Sequence, residues 1–533
     1  MGKIRYLISF FLSASLLYSC ANQASLGGGP KDVTPPKIDS LKSTPNFKTN
    51  FKPKEIKFFF DEWISLKNQN QILISPPLEK NLKFTQRGKH ILIEIPEEDT
   101  LLENTTYCIN FGKSIVDYTE GNPLQENTFL FSTGDYIDSL EISGKITDAY
   151  DNTPLKDVLV MLYKSNEDSI VIKSKPYYFS TTKEDGTYKI PYIKESDYKI
   201  FALKDENSNY LFDNEKEKIG YLDSMIHIDT SKQFIQLQLF QPNPSLYINT
   251  KQISDYGKVE IKFNTTPDSI ELINSSAPVI LEELDAENLT FWLQNSVDSI
   301  NLILKYNDKI DTLELKTTKE LKKPGKYKAL KVSTEKSMFP EKEITLLFDS
   351  PISAFDTSCI EISDTIEKYR NFNIYPDSVN HRKLWLKKIW KEEHEYNITF
   401  LPGAFTGLYE QINDTIKNTL KTGKLEDFST LICNFDSINP ENQYIVNLIS
   451  NKKEVDKFII NNTSNFQKKL SGLPPGKYSL EIILDENKNG RWDSGDYFKK
   501  TYPEKVIRAE LSELKINWEQ QENINLNQSV FKK

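Results

Sequence analysis

The stretch Leu484–Tyr497, LDENKNGRWDSGDY, places an oxygen-bearing side chain at every second position and then a glycine. A loop that wraps a calcium ion needs oxygens at its first, third, fifth, seventh, ninth and twelfth positions and a glycine at the sixth. Asp485, Asn487, Asn489, the carbonyl of Arg491, Asp493 and Asp496 fall on those positions, with Gly490 at the sixth. The chemistry on offer is therefore weak calcium ligation. A second reading uses the same residues. Asp and Asn bond their own backbone two residues on, so the stretch also suits an Asx-type turn between two strands.

A sister loop follows Tyr198: KDENSNYLFD carries Asp205, Asn207, Asn209 and Asp213. Tyr210 stands where glycine should be, and Lys216 occupies the last ligand position, so its calcium reading is the weaker of the two. The preceding stretches, YKIFALK and YSLEIIL, are strand-like, which requires strands and not helices to position both loops. Calcium is the one cofactor the sequence suggests.

Other chemical constellations are missing. His90, His227, His381 and His394 are scattered, and no H-E-x-x-H, G-x-S-x-G, phosphate loop or dinucleotide fingerprint occurs. Cys108, Cys359 and Cys433 have no C-x-x-C spacing, so they are expected as buried, unpaired thiols with no zinc site among them. The sequence reading is accordingly of a protein that is not an enzyme. Of 67 basic residues few are arginine, and the net charge is −9, which argues against nucleic-acid recognition.

The N-terminus carries an address. Lys3 and Arg5 precede the apolar run YLISFFLSASLLYS, too short to span a bilayer in the mature chain. Leu17-Tyr18-Ser19-Cys20 resembles a bacterial lipobox. That resemblance implies a signal peptide over 1–19, cleavage before Cys20, lipidation of Cys20, and attachment to the membrane through that lipid. Residues 20–33, with three consecutive glycines and then Pro35-Pro36, read as a tether.

Beyond the tether, short alternating strands follow at regular spacing, which predicts an all-β chain of sandwiches. Two internal repeats set the organisation. EIKFFFDEWISL from Glu55 matches EITLLFDSPISA from Glu343, and YCINFGKSIVD…NTFLFSTG matches YNITFLPGAFTG…NTLKTG. Residues 34–134 and 326–424 are therefore expected as two copies of one domain. Their E-I…F-D-x-x-I opening and F-S-T-G close resemble the bacterial Ig-like domain of S-layer proteins. YKIFALKDENSNYLFD matches YSLEIILDENKNGRWD, linking residues 138–240 to 425–533. Gly144, the Pro154-Leu155 turn and Asp185-Gly186 before Tyr188 resemble the transthyretin-like, carboxypeptidase-regulatory sandwich. Residues 241–325 read as a further sandwich of no recognised type. Lipobox, tether, Ig-like and transthyretin-like domains in this order resemble outer-membrane lipoproteins of the Bacteroidota, implying a linear array behind a lipidated tether.

Asp-Ser or Asp-Thr before an aliphatic residue or methionine recurs along the chain, and Thr100, Ser139, Ser299, Thr312, Thr365 and Thr415 lie in such triplets. The triplet resembles the Bacteroidota O-glycosylation signal, in which the hydroxyl carries the sugar. It is equally what turns leading into apolar strands would produce. Together these features predict a binding or scaffolding module for another envelope protein, such as an outer-membrane β-barrel machine. Glycan or solute capture is the alternative, with Trp385 and Trp390 as candidate platforms. A cell-envelope hydrolase is the third reading.

Overall fold

The computed structural model describes residues 32–96, 101–125, 128–214, 216–229, 233–317, 329–332 and 338–527. Among these, strands dominate, and the single α-helix, Ile170–Lys173, is four residues long. No helix among them is long and apolar enough to cross a membrane. The strands form small sheets paired around separate cores, the all-β array of sandwiches that the alternating sequence implies.

The first sandwich shows why. In Glu55–Phe59 the alternation sends Ile56 and Phe58 inward, at 0% and 3% exposure. This strand pairs with His90–Glu94, which pairs with Lys83–Arg87. The facing sheet is Leu73–Ser75, Thr106–Asn110 and Thr128–Ser132. A ribbon of Ile64–Leu66 and Ile115–Asp117 closes one end.

The same plan returns in the fourth sandwich. Ile344–Phe348 pairs with Lys383–Lys387 and that with Asn373–Pro376. Ile360–Ser363, Glu395–Phe400 and Ile416–Lys421 face them, and Ile352–Phe355 forms the ribbon with Phe405–Gly407. Side-chain fastenings repeat too. The hydroxyl of buried Tyr107 accepts from the Leu102 N–H at 2.8 Å, and that of Tyr396 from the Lys391 N–H at 2.8 Å, five residues upstream in each. The hydroxyls of Thr133 and Thr422 donate to the carbonyls of those same residues, Leu102 and Lys391, at 2.6 Å.

The second and fifth sandwiches form another matched pair. Leu140–Asp148 lies antiparallel to Thr187–Ile193 and parallel to Gln233–Leu239; Ser429–Asp436 lies antiparallel to Phe466–Leu473 and parallel to Glu519–Asn525. Their second sheets run in the same order. One has Tyr178–Thr181, Leu159–Tyr163, Ser196–Lys204 and Lys218–Tyr221; the other has Lys453–Ile460, Gln443–Ser450, Ser479–Asp485 and Val506–Glu510. Tyr198 and Tyr478 each donate to the carbonyl four residues upstream at 2.7 Å. Between the pairs lies the third sandwich, its core built by Val259, Phe263, Phe291 and Leu302.

In chain order the sandwiches form a linear array, and its last member reaches back to the second. Leu159–Tyr163 is buried at every position, the signature of a strand covered on both faces. One face fills its own core. On the other, Met161, Tyr163, Phe201 and Leu203 meet Leu73 of the first sandwich and Tyr497 of the fifth. Across the same junction Tyr150 and Trp492 pack on Ile445, Ile483 and Val506.

Candidate functional site

The two Asp/Asn loops each leave the end of a long central strand, Ser196–Lys204 or Ser479–Asp485. In the fifth sandwich Asp485 is fully buried, and its carboxylate accepts from the Asn489 N–H at 3.1 Å, the Gly490 N–H at 2.8 Å and Gln443 Nε2 at 2.7 Å. Asn487 and Asn489 accept from the N–H groups two residues on, at 3.1 and 3.0 Å. Their amide nitrogens both donate to Asp493 Oδ2, at 2.6 and 2.7 Å. Gly490 has φ +79°, a conformation glycine adopts without cost.

The sister loop repeats these bonds. Asp205 accepts from the N–H groups of Ser208, Asn209 and Tyr210, and Asn207 and Asn209 donate to Asp213 at 3.0 and 2.7 Å. Tyr210 takes the glycine's place at φ +65° and turns its ring into the aromatic seam beside Phe179.

Each loop also closes on a glutamate that the spacing argument passed over. Glu217, with no exposed surface, accepts from the N–H groups of Glu206, Asp213 and Asn214, all at 3.2 Å. Glu504 accepts from Glu486 at 2.8 Å and Asp493 at 3.1 Å. Burial pushes the Glu504 carboxyl up to about 7; the two N–H bonds oppose this, and the charges of Asp493 and Asp485 add to it. Burial raises Glu217 as well. Both glutamates lie just ahead of the next strand, Glu217 one residue before Lys218–Tyr221 and Glu504 two before Val506–Glu510.

The loops are thus brought together internally, but as hydrogen-bonded turns. The carboxylates of Asp485 and Glu504 already hold backbone N–H groups, and those of Asp493 hold amides. Among the described residues no group of three or more His, Cys, Asp or Glu side chains is gathered for a metal ion. Asp496 is set apart in a turn of its own, accepting from the N–H groups of Phe498 and Lys499. The oxygens of Asp485, Asn487, Asn489 and Asp493 thus serve the turn's own hydrogen bonds.

What the fifth-sandwich loop does hold is its neighbours. The Arg491 guanidinium donates to the Thr266 carbonyl at 2.8 Å and pairs with Asp268 of the third sandwich. Ser494 bonds Asn243 at 3.2 Å, and Tyr497 bonds the carbonyl of Asp168. Behind the loop, Glu481 receives both the Tyr150 hydroxyl and the Arg508 guanidinium.

The remaining candidates are dispersed. Cys20 and Thr100 lie outside the described residues. Ser139, Ser299, Thr312, Thr365 and Thr415 are all exposed, with Ile300 and Leu313 buried behind Ser299 and Thr312. Trp390 is 2% exposed and donates to the Lys342 carbonyl; Trp385 donates to Asp377 and lies under Lys383. Neither is an open platform. Cys108, Cys359 and Cys433 are free thiols, and burial pushes Cys108 and Cys433 up to about 12, far from a reactive thiolate. His90 stacks on Phe59 while His227 pairs with Asp197, so the histidines stay apart.

Fold and loops together define a multidomain array of β-sandwiches with Ig-like members. Residues 32–133 match the bacterial Ig-like domain family, against the 34–134 read from sequence. No curated protein matches the chain. Among solved structures it is similar to the Bacillus anthracis TIE protein, with 11% identity over 99% of this chain and 79% of that one, at TM-score 0.15. The S-layer protein rSbsC shares 11% identity over 85% and 64%, at TM-score 0.17. The Bacteroides ovatus mixed-linkage glucan protein SGBP-B shares 10% over 60% and 82%, at TM-score 0.18.

Proposed function

We propose that the protein is a lipid-anchored outer-membrane protein that works by holding another cell-envelope protein, as a binding or scaffolding module and not as an enzyme. The partner we favour is a membrane β-barrel machine for transport or assembly. The observation that carries this reading is the way the array is fastened. Side chains from the fifth sandwich reach the second and the third, ending on carbonyls, an amide, ion pairs and aromatic rings of the chain itself. An array braced in this way holds binding surfaces at fixed separations. Lipid on Cys20 and a glycine-rich tether place those surfaces at a membrane.

The test has two arms in the native host. Cys20→Ala should abolish fatty-acid labelling and release the protein from the membrane fraction; unchanged labelling removes the lipid anchor from the proposal. Cross-linking from exposed positions on the two Ig-like copies should trap one specific envelope protein. A glycan-capture reading keeps a foothold in exposed tryptophans, Trp63 at 62% and Trp518 at 55% beneath Lys515. Binding on a glycan array that is lost in Trp63→Ala or Trp518→Ala, with no protein cross-link, would put glycan capture in its place.

A further inference from the structure

The two Ig-like copies share a tip with different occupants. In the first copy the Tyr118 N–H donates to the Trp63 carbonyl at 2.9 Å; in the second the Leu408 N–H donates to the Pro351 carbonyl at 3.0 Å. Ile64 pairs with Asp117 as Ile352 pairs with Gly407. The N–H groups of Phe60 and Phe348 donate to the carbonyls of Lys89 and Arg382, both at 2.8 Å. Trp63 therefore corresponds to Pro351, Tyr118 to Leu408 and Lys89 to Arg382.

In the second copy this tip is seated on the third sandwich. The Tyr409 hydroxyl lies between the carbonyls of Gly257, at 3.0 Å, and Leu293, at 2.8 Å, and its ring meets Tyr256 edge-on at 5.0 Å. Arg382 pairs with Glu283 at 3.0 Å. The fit is close: a Cβ placed on Gly257 would come within 2.1 Å of the Tyr409 hydroxyl oxygen. Pro351 is buried, and Tyr409 is half-buried.

In the first copy the corresponding Trp63 and Tyr118 are 62% and 71% exposed. Large aromatics stand where the seated tip has proline and leucine, and neighbouring aromatic rings with one polar edge are the side chains that anchor protein interfaces. Acidic groups cluster beside them, and Lys89 lies among these with its Nζ on the Asp61 carbonyl at 2.6 Å. Glu62 is held above the usual carboxylate range by its own burial first, then by the charges of Asp117, Asp61, Asp32 and Glu120. This cluster repels an anionic lipid surface and attracts lysine or arginine, which Trp63 also favours through its ring face.

We infer that the Trp63–Tyr118 tip is a docking end for a partner protein that presents a β-turn to it, as the third sandwich does to the second copy, but rimmed by lysine or arginine where that seat carries Glu283. The inference rests on the proposed reading of the chain as a binding module and names the surface that would do the binding.

The experiment uses the full chain in its own host, with a photo-cross-linking residue placed in turn at 63, 118, 408 and 518. Position 408 should join to the peptide containing Gly257, reporting that the chain is folded. Positions 63 and 118 should each join to one and the same envelope protein, through a turn peptide bearing Lys or Arg. The yield should fall about fivefold on Glu62→Lys with Glu120→Lys, the scale of reversing rim charges. Adducts to lipid alone, to the chain itself alone, to a peptide without basic residues, or none at 63 and 118 overturn the inference. If a partner is nonetheless trapped from 518, the binding-module reading survives without this tip; if no position traps one, both fall.

Discussion

The hydroxyl of Tyr497 donates to the main-chain carbonyl of Asp168 at 2.6 Å, joining the fifth sandwich to the second across 329 positions of sequence. The ring is 2% exposed and meets Tyr221 and Phe201 edge-on, at 4.8 and 5.7 Å. Next to it Lys500 pairs with the Asp168 carboxylate at 2.7 Å, and Tyr502 stacks on Tyr221.

Tyr497 therefore offers a graded test of the junction. Tyr497→Phe removes one hydrogen bond and should lower stability by about 1 kcal/mol. Tyr497→Ala also empties an aromatic-sized space and should cost about 3 to 5 kcal/mol. Urea denaturation of the full chain, followed by intrinsic fluorescence, reads both. Equal midpoints for Tyr497→Ala and the natural chain would mean that the fifth sandwich does not rest on the second in solution.

Glu504 gives the molecule a pH dependence of known sign. Its folded carboxyl binds a proton more tightly than it would unfolded, up to about 7 from an ordinary 4.5. The folded state then holds more protons than the unfolded state between those values, so stability falls as pH rises through the window. On the order of 2 kcal/mol should be lost between pH 5 and 8. Melting temperatures of the natural chain and Glu504→Ala across that range decide it: the slope should shrink in the variant.

Calcium should leave the melting temperature unchanged, because Asp485 and Glu504 already accept backbone N–H groups. A ligand bound at tenfold excess over its Kd would stabilise by about 1.4 kcal/mol, a shift readily seen. A rise in millimolar calcium that disappears in Asp485→Ala with Asp493→Ala would show that the Asn487 and Asn489 amides turn their oxygens to a cation.

Sugar is the fourth expectation. Ser139, Ser299, Thr312, Thr365 and Thr415 are all exposed, as a modified hydroxyl must be. Protein from its own host should yield glycopeptides at these sites and at Thr100. An intact mass equal to polypeptide plus lipid removes the proposal and leaves the triplets as strand entries.

Much of this was legible from the chain because local pattern determines it. The alternation in EIKFFFDEW put Ile56 and Phe58 inside, and the two repeats anticipated sandwiches that match down to Tyr107 and Tyr396. The Asp/Asn spacing located both loops but not their bonding, since turn and calcium loop ask for the same residues until the partners of Asp485 are seen. Glu217 and Glu504 sit at different distances from their loops, so no fixed spacing reveals them. The junction of second and fifth sandwiches escaped for a different reason. Its signal, the apolar run VLVMLY and the IFAL stretch of the strand beside it, says that a second face is covered but not by what.

The parallel pairing of Leu140–Asp148 with Gln233–Leu239, and of Ser429–Asp436 with Glu519–Asn525, has a mechanical consequence. Side-by-side first and last strands that run the same way bring the chain in at one end of the domain and out at the other. Tension along the chain then loads the hydrogen bonds between those strands together, in shear, instead of peeling them one at a time. Sandwiches of this kind resist stretching.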